Sequence, residues 1–403
     1  MKKVLAIVLC VALLAGLCVS LIACNGDGDD TFKIGFICLH DENSTYDKNF
    51  LDGVAEVKAK LGLTDDQIII KKNIPESNDC YVAAAELADA GCDIVFANSF
   101  GHEEYMLKAA KEFTNVQFCH ATGTMAHTEN VANFHNAFAS IYEGRFLAGI
   151  AAGVKLQEMM AADNTVVPKI GYVGAYTYAE VVSGYTSFYL GVKSIVPEVT
   201  MEVQFTGSWY DEIEEKNAAN ALINSNCVLI SQHADSWGAP TACETAGVPN
   251  VSYNGSTKSA CPNTFIISSR INWAPYYEYI INQVKNGEAI ATDWTGTIAT
   301  GSVVLTDLNE DAYASATTAA AAKTAINTAK AALQAGTLKV FATDTFTVGG
   351  ANLTSYIADV DTDAAYTPDT EVITNGYFDE SAKRSAPYFD INIDGITLLN
   401  TKF

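Results

Sequence analysis

Short apolar runs alternate with helix-length amphipathic segments over most of this chain, and that rhythm restricts the fold more than any single motif does. Residues 33–39 read as a strand; Phe50, Val54, Val57 and Leu61 then recur at helical spacing, and Gly62 is placed as a C-terminal cap. Further strands are predicted over 67–71, 93–97 and 116–120, with helices over 79–90 and 102–113 between them. The pattern restarts with a helix at 142–160, a strand at 169–173, a helix at 179–195, a strand at 200–205, a helix at 211–224, a strand at 227–232 and a helix at 239–246. Strands separated by helices of this length imply α/β architecture, with parallel sheets covered on both faces and joined by right-handed crossovers. A chain of 403 residues exceeds what one core holds, so the two runs predict two doubly wound lobes with a hinge and an interlobe cleft. The expected boundaries are an N-terminal lobe of 32–140 plus about 250–270, a C-terminal lobe of 141–249 plus about 271–345, and an extension over 346–403 of no assigned role. Within the second lobe an alanine-rich helix is predicted over 311–335, followed by a strand-like run over 337–341.

The first residues decide where such a body works. Met1-Lys2-Lys3 opens an apolar stretch from Val4 to about Val19, and Leu21-Ile22-Ala23-Cys24 follows. That is the pattern of a lipoprotein export signal over residues 1–23, with Cys24 lipidated and residues 24–31 a polar tether holding the body at the outer face of the cell membrane. The apolar stretch is shorter than the roughly 20 residues a spanning helix requires.

Charge narrows the partners. Twenty-four basic side chains stand against 47 acidic ones, a net charge of −23, so nucleic acid and anionic lipid would be repelled. The expected partner is small or neutral, and the chain is expected to act as a monomer. Beyond Cys24 the body holds Cys38, Cys80, Cys92, Cys119, Cys227, Cys243 and Cys261, mostly within apolar runs where cysteine packs as a small hydrophobe; Cys243 with Cys261 is the one pair worth testing for a disulfide. The chain has no HExxH, paired CxxC, Walker loop or Gly-x-Ser-x-Gly elbow, so no catalytic group, cofactor or metal is assigned. A nucleoside hydrolase would need clustered aspartates around a cation, for which Asp41, Asp47 and Asp235 are the candidates.

In open parallel sheets the ligand lies beyond the carboxyl ends of the strands, so loops after strands carry the site. Those loops hold His40 to Asp47, Asn98-Ser99-Phe100-Gly101, His120-Ala121-Thr122-Gly123, Gly207-Ser208-Trp209-Tyr210-Asp211, Gln232-His233-Ala234-Asp235-Ser236-Trp237 and Tyr253-Asn254-Gly255-Ser256. Aromatic, amide, hydroxyl and carboxylate groups converge there without a basic cluster. Such lining suits a flat, uncharged ring held between aromatic faces and bonded at its edge. The same positions suit helix N-caps, a use open to Asn43, Ser44, Asp211 and Asp235. Glu143, Arg145 and Arg270 lie near the crossovers between lobes, where an ion pair and a ligand contact are both open.

Several stretches together resemble the basic membrane protein family, the purine-type substrate-binding lipoproteins of ABC importers. They are 118–123, 130–133 with 142–149, 169–173, 208–211 and 232–236, in that order, and the resemblance covers about residues 32–301. It implies a type I periplasmic-binding-protein fold whose lobes close on the ligand and dock on a membrane permease. It also implies that an aromatic from each lobe sandwiches the base, and by position these look like Tyr46 and Trp209. Asp47, Asn98, Ser99, Phe100, Thr122, Gly123, Tyr210, His233, Asp235 and Asn254 are then expected to meet the ring edge, and Trp273 to close one end of the pocket. Thr122 and Asn254 stand where nucleoside-binding relatives carry acidic residues, so the loops look more like those of members taking a free purine base. A lipoprotein sensor for a membrane receptor would use the same fold and cleft.

Overall fold

The computed structural model describes residues 31–360, 362–363 and 365–403. The expected signal, Cys24 and nearly all of the tether lie outside the described residues. Among the described residues, the strands and α-helices run β1 (Ile34–Ile37), α1 (Thr45–Leu61), β2 (Ile68–Lys71), α2 (Asn78–Asp89), β3 (Ile94–Ala97), α3 (Glu103–Glu112), β4 (Gln117–Ala121), α4 (Met125–Glu129), β5 (Phe134–Ala139), α5 (Ile141–Ala162), β6 (Lys169–Gly174), α6 (Ala179–Lys193), β7 (Thr200–Phe205), α7 (Glu212–Asn224), β8 (Ile230–His233), α8 (Gly238–Ala246), β9 (Asn250–Tyr253), β10 (Phe265–Ile271), α9 (Ala274–Asn286), β11 (Asp293–Gly296), β12 (Val303–Leu305) and α10 (Ala316–Gln334). Two short hairpins follow, β13 (Ile357–Ala358) with β14 (Thr370–Glu371) and β15 (Ile373–Thr374) with β16 (Tyr377–Phe378), and then a last strand, β17 (Ile396–Leu398).

Local chemistry sets the first helix. The Ser44 hydroxyl accepts from the Asp47 N–H at its start, and Gly62, with φ of 65°, ends it by returning its N–H to Lys58. The strands form two sheets, one of six in the order β11-β5-β4-β3-β1-β2 and one of seven in the order β12-β10-β9-β8-β6-β7-β17. All pairings in them are parallel except β12 on β10. Helices α5 and α6 approach closely because Gly149 and Gly191 face each other: a Cβ on Gly149 would stand 2.2 Å from the Phe188 carbonyl, and one on Gly191 2.1 Å from that of Phe146.

Sheet membership corrects the expected boundaries. Residues 250–270 belong to the second lobe, because β9 pairs with β8 and β10 with β9. The chain then returns to the first lobe, where α9 packs its aromatic face on Phe36, Phe50 and Phe96 and β11 adds an edge beside β5. The wholly buried β5 escaped the sequence reading, since Phe-His-Asn-Ala-Phe-Ala does not look apolar enough for a central strand. The run at 337–341 forms no strand. The extension over 346–403 folds onto the body, with β17 completing the second sheet. Among the described residues no helix is long and apolar enough to cross a membrane. All seven described cysteines are buried and unpaired, Cys243 and Cys261 included.

Candidate ligand-binding site

Where the two sheets face one another, Leu39, Tyr46, Asp47, Ser99, Phe100 and Thr122 of the first lobe and Glu180, Trp209, His233, Asp235 and Tyr253 of the second line one narrow shared cavity. Most follow the carboxyl end of a strand: Ser99 and Phe100 come after β3, Thr122 after β4, Trp209 after β7, and His233 and Tyr253 end β8 and β9. The walls touch. Thr45 donates both its N–H and its hydroxyl to the Asp235 carbonyl at 3.1 Å, His40 lies 5.6 Å from Tyr210 between ring centroids, and Phe100 lies 5.4 Å from Tyr178.

Tyr46 on one wall and Trp209 on the other are each braced by their own lobe. Tyr46 donates its hydroxyl to the Asn98 carbonyl at 2.7 Å and sets its ring edge against Phe50 at 4.8 Å. Trp209 meets Tyr176 edge-on at 5.1 Å, and its carbonyl accepts from the Asp235 N–H.

The carboxylates differ in state. Burial works to raise Asp47, but hydrogen bonds from His40, Asn98 and Ser44 prevail and hold it below the ordinary value. Burial and the nearby Glu215, Asp47 and Glu180 push Asp235 well above it. Burial lowers His233 despite Glu180, whose carboxylate lies 3.4 Å from its Nε2. Asp47 Oδ2, Thr122 Oγ1, His233 Nδ1 and Tyr253 OH are buried and have no hydrogen-bond partner among the described residues. Thr122 also sits at φ of 68°, a region costly for a β-branched residue and often kept for function. His233 Nδ1 packs against Gly184, which leaves the Asp47 carboxylate and the Thr122 and Tyr253 hydroxyls as acceptors and donors for a ring edge.

Five expected contacts are placed elsewhere. Asn98 is fully buried behind the wall, donating Nδ2 to Asp47 Oδ1 at 2.7 Å. Gly123 does not line the cavity: a Cβ there would fall 2.2 Å from Glu103 Oε1, so its bareness lets that carboxylate accept from Thr124 N, Met125 N and Asn136 Nδ2. Tyr210 and Asn254 face a neighbouring cavity shared with Arg270 and Trp237, and Asn254 Oδ1 accepts from Asn49. Trp273, expected at the pocket's end, is 1% exposed and stacks on Phe50 at 4.5 Å in the first lobe's core, because α9 returns to that lobe. Ser99 lines the cavity, although its hydroxyl is given to Glu76.

Among the described residues Arg145 has no ion-pair partner, and it does not line the cavity; it is fully buried and donates to Ser231, Tyr172, Ser252 O and Gln232 O. Ser44 and Asp211 are N-caps, as the capping reading allowed. His120 turns its Nε2 to the Ser99 carbonyl, and burial drops it to about 4. Sequence reasoning missed Leu39 and Glu180, and placed Tyr253 in a site loop without naming it as a contact. Glu180 looked like an ordinary first-turn acid, whereas Tyr253, at the end of its strand, carried a signal that position alone could have supplied.

With this geometry in place, likeness to known proteins becomes informative. A model of the Bmp family, described as ABC transporter substrate-binding protein PnrA-like, matches residues 38–334. The chain belongs to this family. Among the chain's relatives, a purine-binding protein of Brucella abortus is 30% identical over 252 residues, covering 62% of this chain and 67% of that protein. A Haloferax volcanii protein, provisionally named an ABC transporter glucose-binding protein, is 32% identical over 216 residues, and the match spans 52% of its length. Solved solute-binding proteins from Conexibacter woesei and Aeropyrum pernix share the fold, each with a TM-score of 0.62 over 77% of this chain, at 19% and 14% identity and covering 98% and 93% of those chains. The resemblance seen in the sequence and the α/β, type I binding-protein architecture are therefore those of the Bmp family.

Proposed function

We propose that this Bmp protein captures a purine base or nucleoside outside the cytoplasm by closing its lobes on it, Tyr46 against one face and Trp209 against the other, and delivers it unreacted to an ABC permease. One observation carries the reading: two braced aromatic rings from opposite lobes line a single cavity whose remaining walls hold unpartnered donors and acceptors. The purine-binding name of the Brucella relative supports the ligand class. Differential affinity for the closed state would drive closure, with the Thr45–Asp235 bonds and the Phe100–Tyr178 contact adding to it. The body would be held at the membrane through lipid on Cys24.

Trp209→Ala should weaken adenine or adenosine binding by about 1–3 kcal/mol, the worth of one base–aromatic stack, read by calorimetry. Parent-like binding by that variant would sink the sandwich. A thermal-shift screen of bases, nucleosides and sugars assigns the ligand, since a molecule that binds only the folded state raises the melting temperature. Glucose is included because of the Haloferax relative; a shift with sugar and none with any base would replace purine by sugar.

A further inference from the structure

The family match ends at residue 334, yet residues past β17 touch the loops that carry the second wall of the pocket. β17 runs parallel to β7, with Ile396 opposite Met201 and Leu398 opposite Val203. Past the strand, the Asn400 side chain bonds the backbone of Phe205 twice, Oδ1 accepting from its N–H at 2.8 Å and Nδ2 donating to its carbonyl at 2.9 Å. The Phe403 carbonyl accepts from Thr177 N at 3.2 Å, and its ring covers Gly207 so closely that a Cβ there would stand 2.6 Å away. Gly207, at φ of 78°, in turn bonds the Ala175 carbonyl at 2.8 Å, so the tail touches both loops at the point where they are tied together. Those loops carry Tyr176 and Trp209.

The geometry points to Asn400 and Phe403 as positioning residues for Trp209: they hold the two second-lobe loops so that the indole stands ready to cover the bound ring. This rests on the reading of the pocket given above. Loops are the least stable parts of a fold, and a contact that fixes a binding ring before the ligand arrives lowers the ordering cost of binding. The amide of Asn400 suits the task, since it presents a donor and an acceptor to one residue's backbone and so extends the β7 ladder past its last strand partner.

The test uses Phe403→Ala, Phe403→Tyr and Asn400→Asp, the last keeping an acceptor for Phe205 N while losing the donor. In the ligand-free proteins, hydrogen exchange at the amides of residues 176–178 and 207–210 should quicken about tenfold in Phe403→Ala, less in Asn400→Asp, and not in Phe403→Tyr, with the first-lobe loop at 99–102 unchanged. Adenine binding should weaken about fivefold in Phe403→Ala while the ligand-free melting temperature holds, and in a Trp209→Ala background the same change should add less than about twofold. Unchanged exchange in those loops, or a full fivefold loss retained in the Trp209→Ala background, overturns the assignment. If the parent binds no purine base or nucleoside, the capture proposal fails and the exchange experiment still decides whether the tail sets the loops.

Discussion

Asp47 of the first lobe and Asp235 of the second line the same cavity, yet their environments drive them apart. Asp47 receives the His40 N–H at 3.1 Å and the Asn98 amide at 2.7 Å, donors enough to overcome its burial and keep it ionised. Asp235 is buried among Glu215, Asp47 and Glu180 and is pushed toward the neutral acid. The backing of the two walls differs as well. Behind the first lies an aromatic stack of Phe50, Phe96 and Trp273; behind the second lies the Arg145 guanidinium, held by hydroxyls and carbonyls, with no carboxylate partner among the described residues and with the Tyr253 ring 5.4 Å away. At Asp47 the donors outweigh burial, whereas at Asp235 burial is the largest influence and the neighbouring carboxylates add to it.

The sharpest way to break the comparison is through the first wall's backing. Trp273→Ala should lower stability by about 3–5 kcal/mol in urea unfolding through cavity formation, while affinity measured well below the melting temperature stays within about twofold of the parent. A selective loss of affinity would return Trp273 to the pocket.

A pH series probes the second wall. Burial pushes the Glu215 carboxyl up to about 7, above its ordinary 4.5. Between those values the folded protein keeps a proton that the unfolded chain has released, so this contribution is fully present below about pH 4.5 and is lost as pH rises through 7. Glu215→Gln cannot ionise and should gain on the parent by up to about 3 kcal/mol between pH 4.5 and 8. His120, lowered to about 4, has the opposite slope, losing stability as pH falls from 6.5 through 4, and is common to both proteins. A flat difference across that range would mean that Glu215 is not held protonated.

The paired carboxyls give the next effect. Asp47→Asn replaces an ionised acceptor of two donors and should cost purine affinity about 2 kcal/mol at pH 7, whereas Asp235→Asn, nearly isosteric with a neutral acid, should cost under about 0.5 kcal/mol. Equal losses would erase the distinction between the walls. Smallest is Tyr46→Phe, which keeps the ring and drops its bond to Asn98 O; about 1 kcal/mol of affinity is expected, read by calorimetry.

Much of the architecture was legible in the chain itself. Helix caps such as Ser44 and Gly62 and the alternation of strands with helices are local consequences of backbone and side-chain chemistry, and the rule that ligands sit past strand ends led to Tyr46, Asp47, Thr122, Trp209, His233 and Asp235 without coordinates. What failed was long-range. Trp273 could not be told from a pocket aromatic until α9 was seen to cross back and pack on Phe50, some 220 residues away in sequence. Gly123 looked like a ligand-facing turn and is instead the gap into which Glu103 fits. Glu180 and Tyr253 joined the site because separate strands ended side by side. The sequence by itself determined the elements, the sheet class and the strand-end loops, since these depend on periodicity and on neighbours a few residues apart. Only the tertiary structure decided which lobe owns 250–270, which loop residues turn into the cleft, where the tail docks and which carboxyl stays charged, because each depends on packing and hydrogen bonds between segments far apart along the chain.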